Sequence, residues 1–483
     1  MFKRRKSLFW CLLAALFIPS QIVLAVAGQQ GSGGYYNYLP AIMNRYVQPY
    51  SVRVNVPYFS GNASDHFSEA AIFWFGKVTP SENYADIRFA YDQTKLWVYV
   101  AVFDQYLWYN PSQSNPSTLT DWDAITLLIN LNGNTGNFPD TSSYRFIGAM
   151  SWTSDYSEPR YQAAYQGNGT GWSLASIIFK TRPGYRSPFN DNTKSGRGWA
   201  MTFEIPFSSL GFPGKPPDGT LWGVGVQMHD RDSQAGPPQP VKNWPDFMQR
   251  DTPSTWAQLR FGLPAYGAQP GSPAGTTLIR EDASRGINVP DAGVGGTLGN
   301  LCPGDDNFIW NQWGNLNFGS GTGVNIQNQS DVADWPCFSK YYITFPLNAV
   351  PSGKTILSAK LILHQWGGSD GTPKPVASLI QVFTVKDDWG EGSITWNNAP
   401  PPLENVSQAW VDVYFMPTNA WPGAARVWDV TYAASRAYDT GQPLRLALYE
   451  ADSNYHSGKH FTTSDAESWN IEGRPALEIK WGN

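Results

Sequence analysis

Residues 199–207 read WAMTFEIPF, and the alternation is strict: Trp199, Met201, Phe203 and Ile205 share one face, Thr202 and Glu204 the other. A period of two marks a half-buried β-strand, because successive side chains leave a pleated backbone on opposite sides. Working outward, IRFAY (87–91), LWVYVAVF (96–103), AITLLINL (124–131) and WGVGVQMH (222–229) are runs of similar length, each bounded by Asp, Asn, Gly or Pro. These read as apolar on both faces, as strands covered on two sides tend to be. No ten-residue stretch here carries an amphipathic helix, so residues 51–263 are expected to form an antiparallel β-sandwich.

Residues 264–275, PAYGAQPGSPAG, have the uncharged Pro/Gly/Ala composition of a linker. Beyond it runs a second strand series: KYYITFPL (340–347), AKLILHQW (359–366), SLIQVFTV (378–385), SITW (393–396), WVDVYF (410–415), RLALYE (445–450) and ALEIKW (476–481). Only WDVTYAASRAY (428–438) has a helical pattern, about two turns long. The fold class expected is all-β: two tandem antiparallel, jelly-roll-like β-sandwiches, 51–263 and 276–483, joined by a short flexible linker.

The first 27 residues read as an export signal, with basic Lys3 to Lys6, an apolar stretch from Leu8 to Ile18, and Ala25-Val26-Ala27 at the cleavage position. Residues 28–50 then form a polar spacer with a small aromatic patch. No later segment is long and apolar enough to span a bilayer. Of three cysteines, Cys302 and Cys337 remain after the signal, an even pair in an exported chain and hence an expected disulfide. A zinc site is not supported, since no ligand set is completed. Net charge is −5 and no basic patch is visible, which excludes a nucleic-acid partner.

Aromatic residues are 15% of the chain, with 22 Trp. That surplus points to recognition surfaces, because an exposed indole is costly without a ligand to cover it. A sugar ring offers an apolar face of axial C–H groups and a fringe of hydroxyls, so a carbohydrate site wants an aromatic platform flanked by polar side chains. Candidate platforms are Trp108, just past LWVYVAVF, and Trp244 in KNWPDF; Arg145 in YRF is a candidate hydroxyl-binding donor, against its reading as an edge-strand surface cation. In KDDWGEGSITWNNAP (386–400), Trp396 is expected to pack in the core, and Trp389 stands open between core and platform.

Two family patterns are present. ADIRFAYDQTKLWVYVAVFD, DWDAITLLIN, YRF, GWAMTFEIPFSSLGF and GTLWGVGVQMHDRD resemble the family 9 carbohydrate-binding module and its DOMON-like relatives. That resemblance implies a β-sandwich gripping sugar between two aromatic rings, often with calcium. The second half is similar to a DNRLRE domain, related to family 96 carbohydrate-binding modules, through NFGS (317–320), YYITFPLNAVPSGKTILSAKLILHQW (341–366), VFTVKDDWGEGSITWNNAP (382–400), WDVTYAASRAYDTGQPLRL (428–446) and RPALEIKW (474–481).

Calcium ligands are sought among Asp104, Asp121, Asp123, Asp230 and Asp232, with amide oxygens from NLNGNTGN (130–137) as hard donors. The chain departs from the family 9 pattern, reading Asp123-Ala124-Ile125-Thr126 and ending in Asn130 where two further carboxylates are expected; solvated loop acids are the alternative reading. Gly367 to Gly371 satisfies G-x-S-x-G without the strand-to-helix turn a nucleophile elbow needs, and His456 and His460 lie in no helical pattern. The expectation is an extracellular or cell-surface, non-catalytic protein docking on polysaccharide or oligosaccharide in support of carbohydrate catabolism, beside a cell-envelope component or secreted enzyme. Its rivals are a structural or adhesive surface protein and an accessory glycoside hydrolase or lyase.

Overall fold

The computed structural model describes residues 52–483 except 154, 265–268, 297–304, 330–334, 370–374, 387–388 and 453–456. The export signal, the spacer at 28–50 and Cys302 lie outside the described residues.

The strand Trp199–Pro206 buries Trp199, Met201, Phe203 and Ile205. Glu204 on its far face is also buried, its carboxylate accepting from Lys95 at 2.8 Å. The strand lies in a five-stranded antiparallel sheet ordered Ala71–Thr79, Glu82–Tyr91, Lys95–Phe103, Trp199–Pro206, Lys180–Tyr185. Facing it are Trp172–Ala175, Gln162–Gly167, Ser143–Ala149, Ala124–Asn130, Leu221–His229 and Ala257–Phe261, with Lys242–Trp244 beside Leu221–His229. The two layers bury one apolar core, in which Val98, Val100, Phe203, Val224 and Val226 are inaccessible to solvent. The chain is all-β, in antiparallel sheets packed face to face.

The facing sheet does not stop at the expected linker. Arg53–Val56 pairs in parallel with Ala257–Phe261 on one side and meets Pro402–Val411 on the other. The sheet then continues through Ser378–Val385, Leu444–Glu450, Ser339–Phe345 and Asp291–Gly295, making thirteen strands in all. This second part packs on a six-stranded sheet built around Thr355–Gly368, with a core of its own. Pro49–Asn483 is one compact unit, where two bodies on a flexible tether were expected. Asn55 and Asn405 staple the join: Asn55 donates its backbone N–H to Asn405 Oδ1 (2.8 Å), and Asn405 Nδ2 donates to Asn55 O (2.9 Å).

Tryptophans of the second half complete the first core. Trp396 is buried, and the ammonium of Lys340 lies 3.3 Å from its ring centroid, with Trp74, Tyr84 and Tyr449 around it. Burial lowers the Lys340 pKa well below its ordinary value, while nearby Asp86 favours the charge. Trp389 packs edge-on to Tyr342 at 6.2 Å and is half-buried against the same core.

Two local expectations are corrected. Residues 393–396 form turns, because Gly390 O accepts from the backbone N–H groups of both Ser393 and Ile394. The helix is Thr431–Asp439, since Trp428 and Asp429 complete the strand Ala424–Asp429 paired with Thr355–Gly368.

Candidate carbohydrate site and carboxylate cluster

The strand Leu221–His229 turns Trp222, Val224, Val226 and Met228 into the core, so Gly223, Gly225, Gln227 and His229 face outward. Its neighbour places Thr126 opposite Gln227, and the next strands add Arg145 and Tyr165, which are themselves paired. On this outer face, beneath the turn at 116–120 and the loop carrying Arg250, lies a small cavity of about 50 Å³ lined by Thr126, Arg145, Tyr165, Gln227, His229 and Arg250. Gly225 lets the covering loop approach: a Cβ there would meet Met248 Sδ at 2.1 Å.

The cavity is polar and flanked by rings. The Arg145 guanidinium sits 4.0 Å from the Tyr165 ring centroid and 5.7 Å from that of Trp172, a cation–π placement. Its Nε is buried without a hydrogen-bond partner. Burial lowers the Arg145 pKa, and the Arg250 charge adds to the shift. Trp172 stacks parallel to Trp256 at 6.4 Å and donates its indole N–H to Asp251 at 2.7 Å; Asp251 also pairs with Arg250 at 2.7 Å. Thr126 Oγ1 and His229 Nε2 are 3.0 Å apart, and Gln227 Nε2 donates to Asn243 Oδ1 at 2.9 Å. Burial, then the Arg145 and Arg250 charges, hold the His229 pKa down at about 3, so this imidazole is neutral. About 50 Å³ encloses no pyranose, so these oriented donors and acceptors beside aromatic faces suit single hydroxyls of a ring lying across the mouth of the cavity.

Of the four expected ligand-binding residues, Arg145 alone lines this cavity. Trp244 is a correction: its ring is 2% exposed and packs against Phe73 and Phe89 in the core, because the short strand Lys242–Trp244 presents it inward beside Val226. Trp108 is half-buried, donating its indole N–H to Asn192 Oδ1 at 2.6 Å and its backbone N–H to Asp123 at 2.6 Å, so it belongs to the acidic loops. Trp389 faces Tyr342 in the second half. Alternation in WGVGVQMH was the available signal for Gln227 and His229; Tyr165, Trp172 and Arg250 sit in stretches with no such pattern.

In the second half, Trp421 and Trp469 form an exposed perpendicular pair with centroids 5.3 Å apart.

The acids divide sharply. Asp104, Asp230 and Asp232 bring carboxylate oxygens within 4.8 Å of one another. Asp123 is fully buried beside them, accepting from the backbone N–H groups of Trp108 and Arg231. Burial first, then mutual repulsion, raises all but Asp232, where burial is the cause; Asp104 is pushed up to about 7. Asp230 Oδ1 is buried without a partner. A cluster of oxygen donors with an orphaned carboxylate oxygen fits a hard divalent cation. Asp121 lies outside it, exposed on the surface and giving only its backbone oxygen to Arg231. The amide oxygen of Asn130 accepts from the Asn132 N–H within its own turn, which leaves that loop as a self-capped turn.

Comparison with known proteins bears on the second half. Residues 299–480 match Carbohydrate-binding module family 96. The matched span contains the NFGS, WGEGSITWNN and WDVTYAASRAY motifs that carry the resemblance noted above. Among solved structures the chain is similar to a carbohydrate binding module family 9 from Caldicellulosiruptor kristjanssonii in complex with cellotriose, at 16% identity over 46% of this chain and 100% of that one, with a TM-score of 0.30. A family 9 module from the same organism in complex with glucose is 15% identical over 45% of this chain and 100% of that one, with a TM-score of 0.29. No curated protein matches the chain. Among the described residues, no helix is long and apolar enough to cross a membrane.

Proposed function

We propose that this chain is an exported, non-catalytic carbohydrate-binding protein that docks on extracellular polysaccharide and supports its breakdown by a secreted enzyme. The observation that carries the reading is Arg145: a half-buried guanidinium whose Nε is buried without a partner, held between Tyr165 and Trp172 and facing Gln227, Thr126 and neutral His229. The family 96 match of the second half supports the same class. The first face suits a neutral glucan or xylan; the exposed Trp421–Trp469 pair offers a second aromatic surface, and the resemblance of the second half implies an acidic polyuronide as its ligand class. Two weak sites on one rigid body raise apparent affinity for a polymer that reaches both.

Calcium belongs to this proposal at Asp104, Asp123, Asp230 and Asp232, where it would neutralise four crowded carboxylates and fix the loops after Lys95–Phe103 and Leu221–His229 against the one that leads into Ala124–Asn130. The Cys302–Cys337 disulfide is proposed on the same footing as export. Affinity electrophoresis of the full chain in gels containing soluble glucan, xylan or polyuronide tests the class: retardation by at least one polymer is expected, and free migration through all of them defeats it.

A further inference from the structure

The second half holds another acidic cluster, separate from the sugar face and from the Asp104 group. Asp291 begins the edge strand Asp291–Gly295, Glu391 stands in the turn after Trp389, and Asp465 lies just beyond the strand Lys459–Thr462. One carboxylate oxygen of each lies within 4.8 Å of the other two.

These groups are held in place. Asn317 Nδ2 donates to the backbone oxygens of Glu391 and Ile394, both at 2.7 Å. Gly319 lies so close that a Cβ there would meet Glu391 O at 2.0 Å. The NFGS and WGEGS motifs are therefore two sides of one clamp that positions Glu391. Glu391 Oε1 in turn accepts the Asp291 N–H at 2.8 Å.

Asp291 is 1% exposed. Its Oδ2 accepts from the Tyr341 hydroxyl (2.5 Å) and the Ser464 N–H (2.6 Å), while its Oδ1 is buried with no partner. An orphaned buried carboxylate oxygen is costly. Burial pushes the Asp291 pKa up to about 8, and Asp465 adds repulsion; burial also raises Glu391 and Asp465, with Glu281 repelling both. Arg474 faces Asp465, but it donates to Ala466 O through Nε and Nη2 and to Glu281 O through Nη1.

We propose that Asp291, Glu391 and Asp465 bind a divalent hard cation of the calcium type, with Asp291 Oδ1 as a ligand. All donors are oxygens, and ligands about 2.3–2.6 Å from one ion lie within about 5.2 Å of each other, as these do. The ion ties the edge strand, the 317–320 and 390–394 turns and the 465 loop into one unit.

The test uses the full chain carrying Asp232→Asn, which removes one carboxylate from the Asp104 cluster and weakens it, stripped with chelator and titrated with calcium chloride by calorimetry. One equivalent binds, and adding Asp465→Asn, at an exposed position, weakens it by about tenfold or more. Hydrogen exchange on the Asp232→Asn chain locates the ion without a second substitution: calcium slows exchange at the amides of Asp291 and Ser464. No calcium uptake by that chain, affinity unmoved by Asp465→Asn, or unchanged exchange at those amides each overturns the proposal.

Discussion

The guanidinium of Arg145 lies 4.0 Å from the ring centroid of Tyr165, its cross-strand partner, on the face of the long sheet turned away from the core. This pairing sets a fixed donor against an aromatic surface on that face.

Trp244→Ala removes a buried ring among Phe73 and Phe89. It is expected to cost about 3–5 kcal/mol in denaturant unfolding. Sugar affinity of the protein that remains folded should be unchanged. A selective loss of binding with unchanged stability would return Trp244 to the ligand.

Dividing the chain at 264–275 exposes Trp310, Trp313, Trp335 and Trp396 on one piece and their partners Trp74, Tyr84 and Phe103 on the other. The full chain should melt in one transition, and the piece 51–263 alone should melt far lower or aggregate. Two independent transitions in the intact chain would contradict the shared core.

His229 has a folded pKa near 3, lowered by burial and then by Arg145 and Arg250. The unfolded chain therefore binds the extra proton between about pH 3 and 6.5, so this residue makes stability rise with pH across that window and adds no slope above it. His229→Gln should flatten that rise in denaturant titrations. Binding at the Arg145 face should be level between about pH 5.5 and 8 because the imidazole is neutral throughout.

Trp421→Ala and Trp469→Ala alter an exposed pair, so each should change stability by no more than about 0.5 kcal/mol. Both should weaken polyuronide retention in gels and leave glucan retention intact. Equal retention of wild type and variants removes this platform.

The period-two pattern in WAMTFEIPF was enough to recover the sandwich because it reports burial directly, and turn residues marked most strand ends. The shared sheet was not legible: Arg53–Val56 is four residues long, and its parallel pairing to strands about 200 and 350 residues away leaves no local trace. Trp244 misled for a related reason. A tryptophan past a strand end looks alike in sequence whether its loop turns inward or outward, and position alone could not separate the buried Trp244 from the exposed Trp469. Arg145 and four of the five acids were legible as candidates because charge in a sheet or a tight loop needs a partner, and the structure places Arg145 at the polar cavity and those four acids together.

The most direct test of the sugar face is calorimetry with a gluco- or xylo-oligosaccharide on the intact wild type and on Arg145→Ala, each checked for a cooperative melt. Loss of affinity by about tenfold or more, which is about 1.4 kcal/mol, with melting preserved is the expected result. An unchanged Kd in a folded Arg145→Ala chain would contradict the account and move the sugar elsewhere on the molecule.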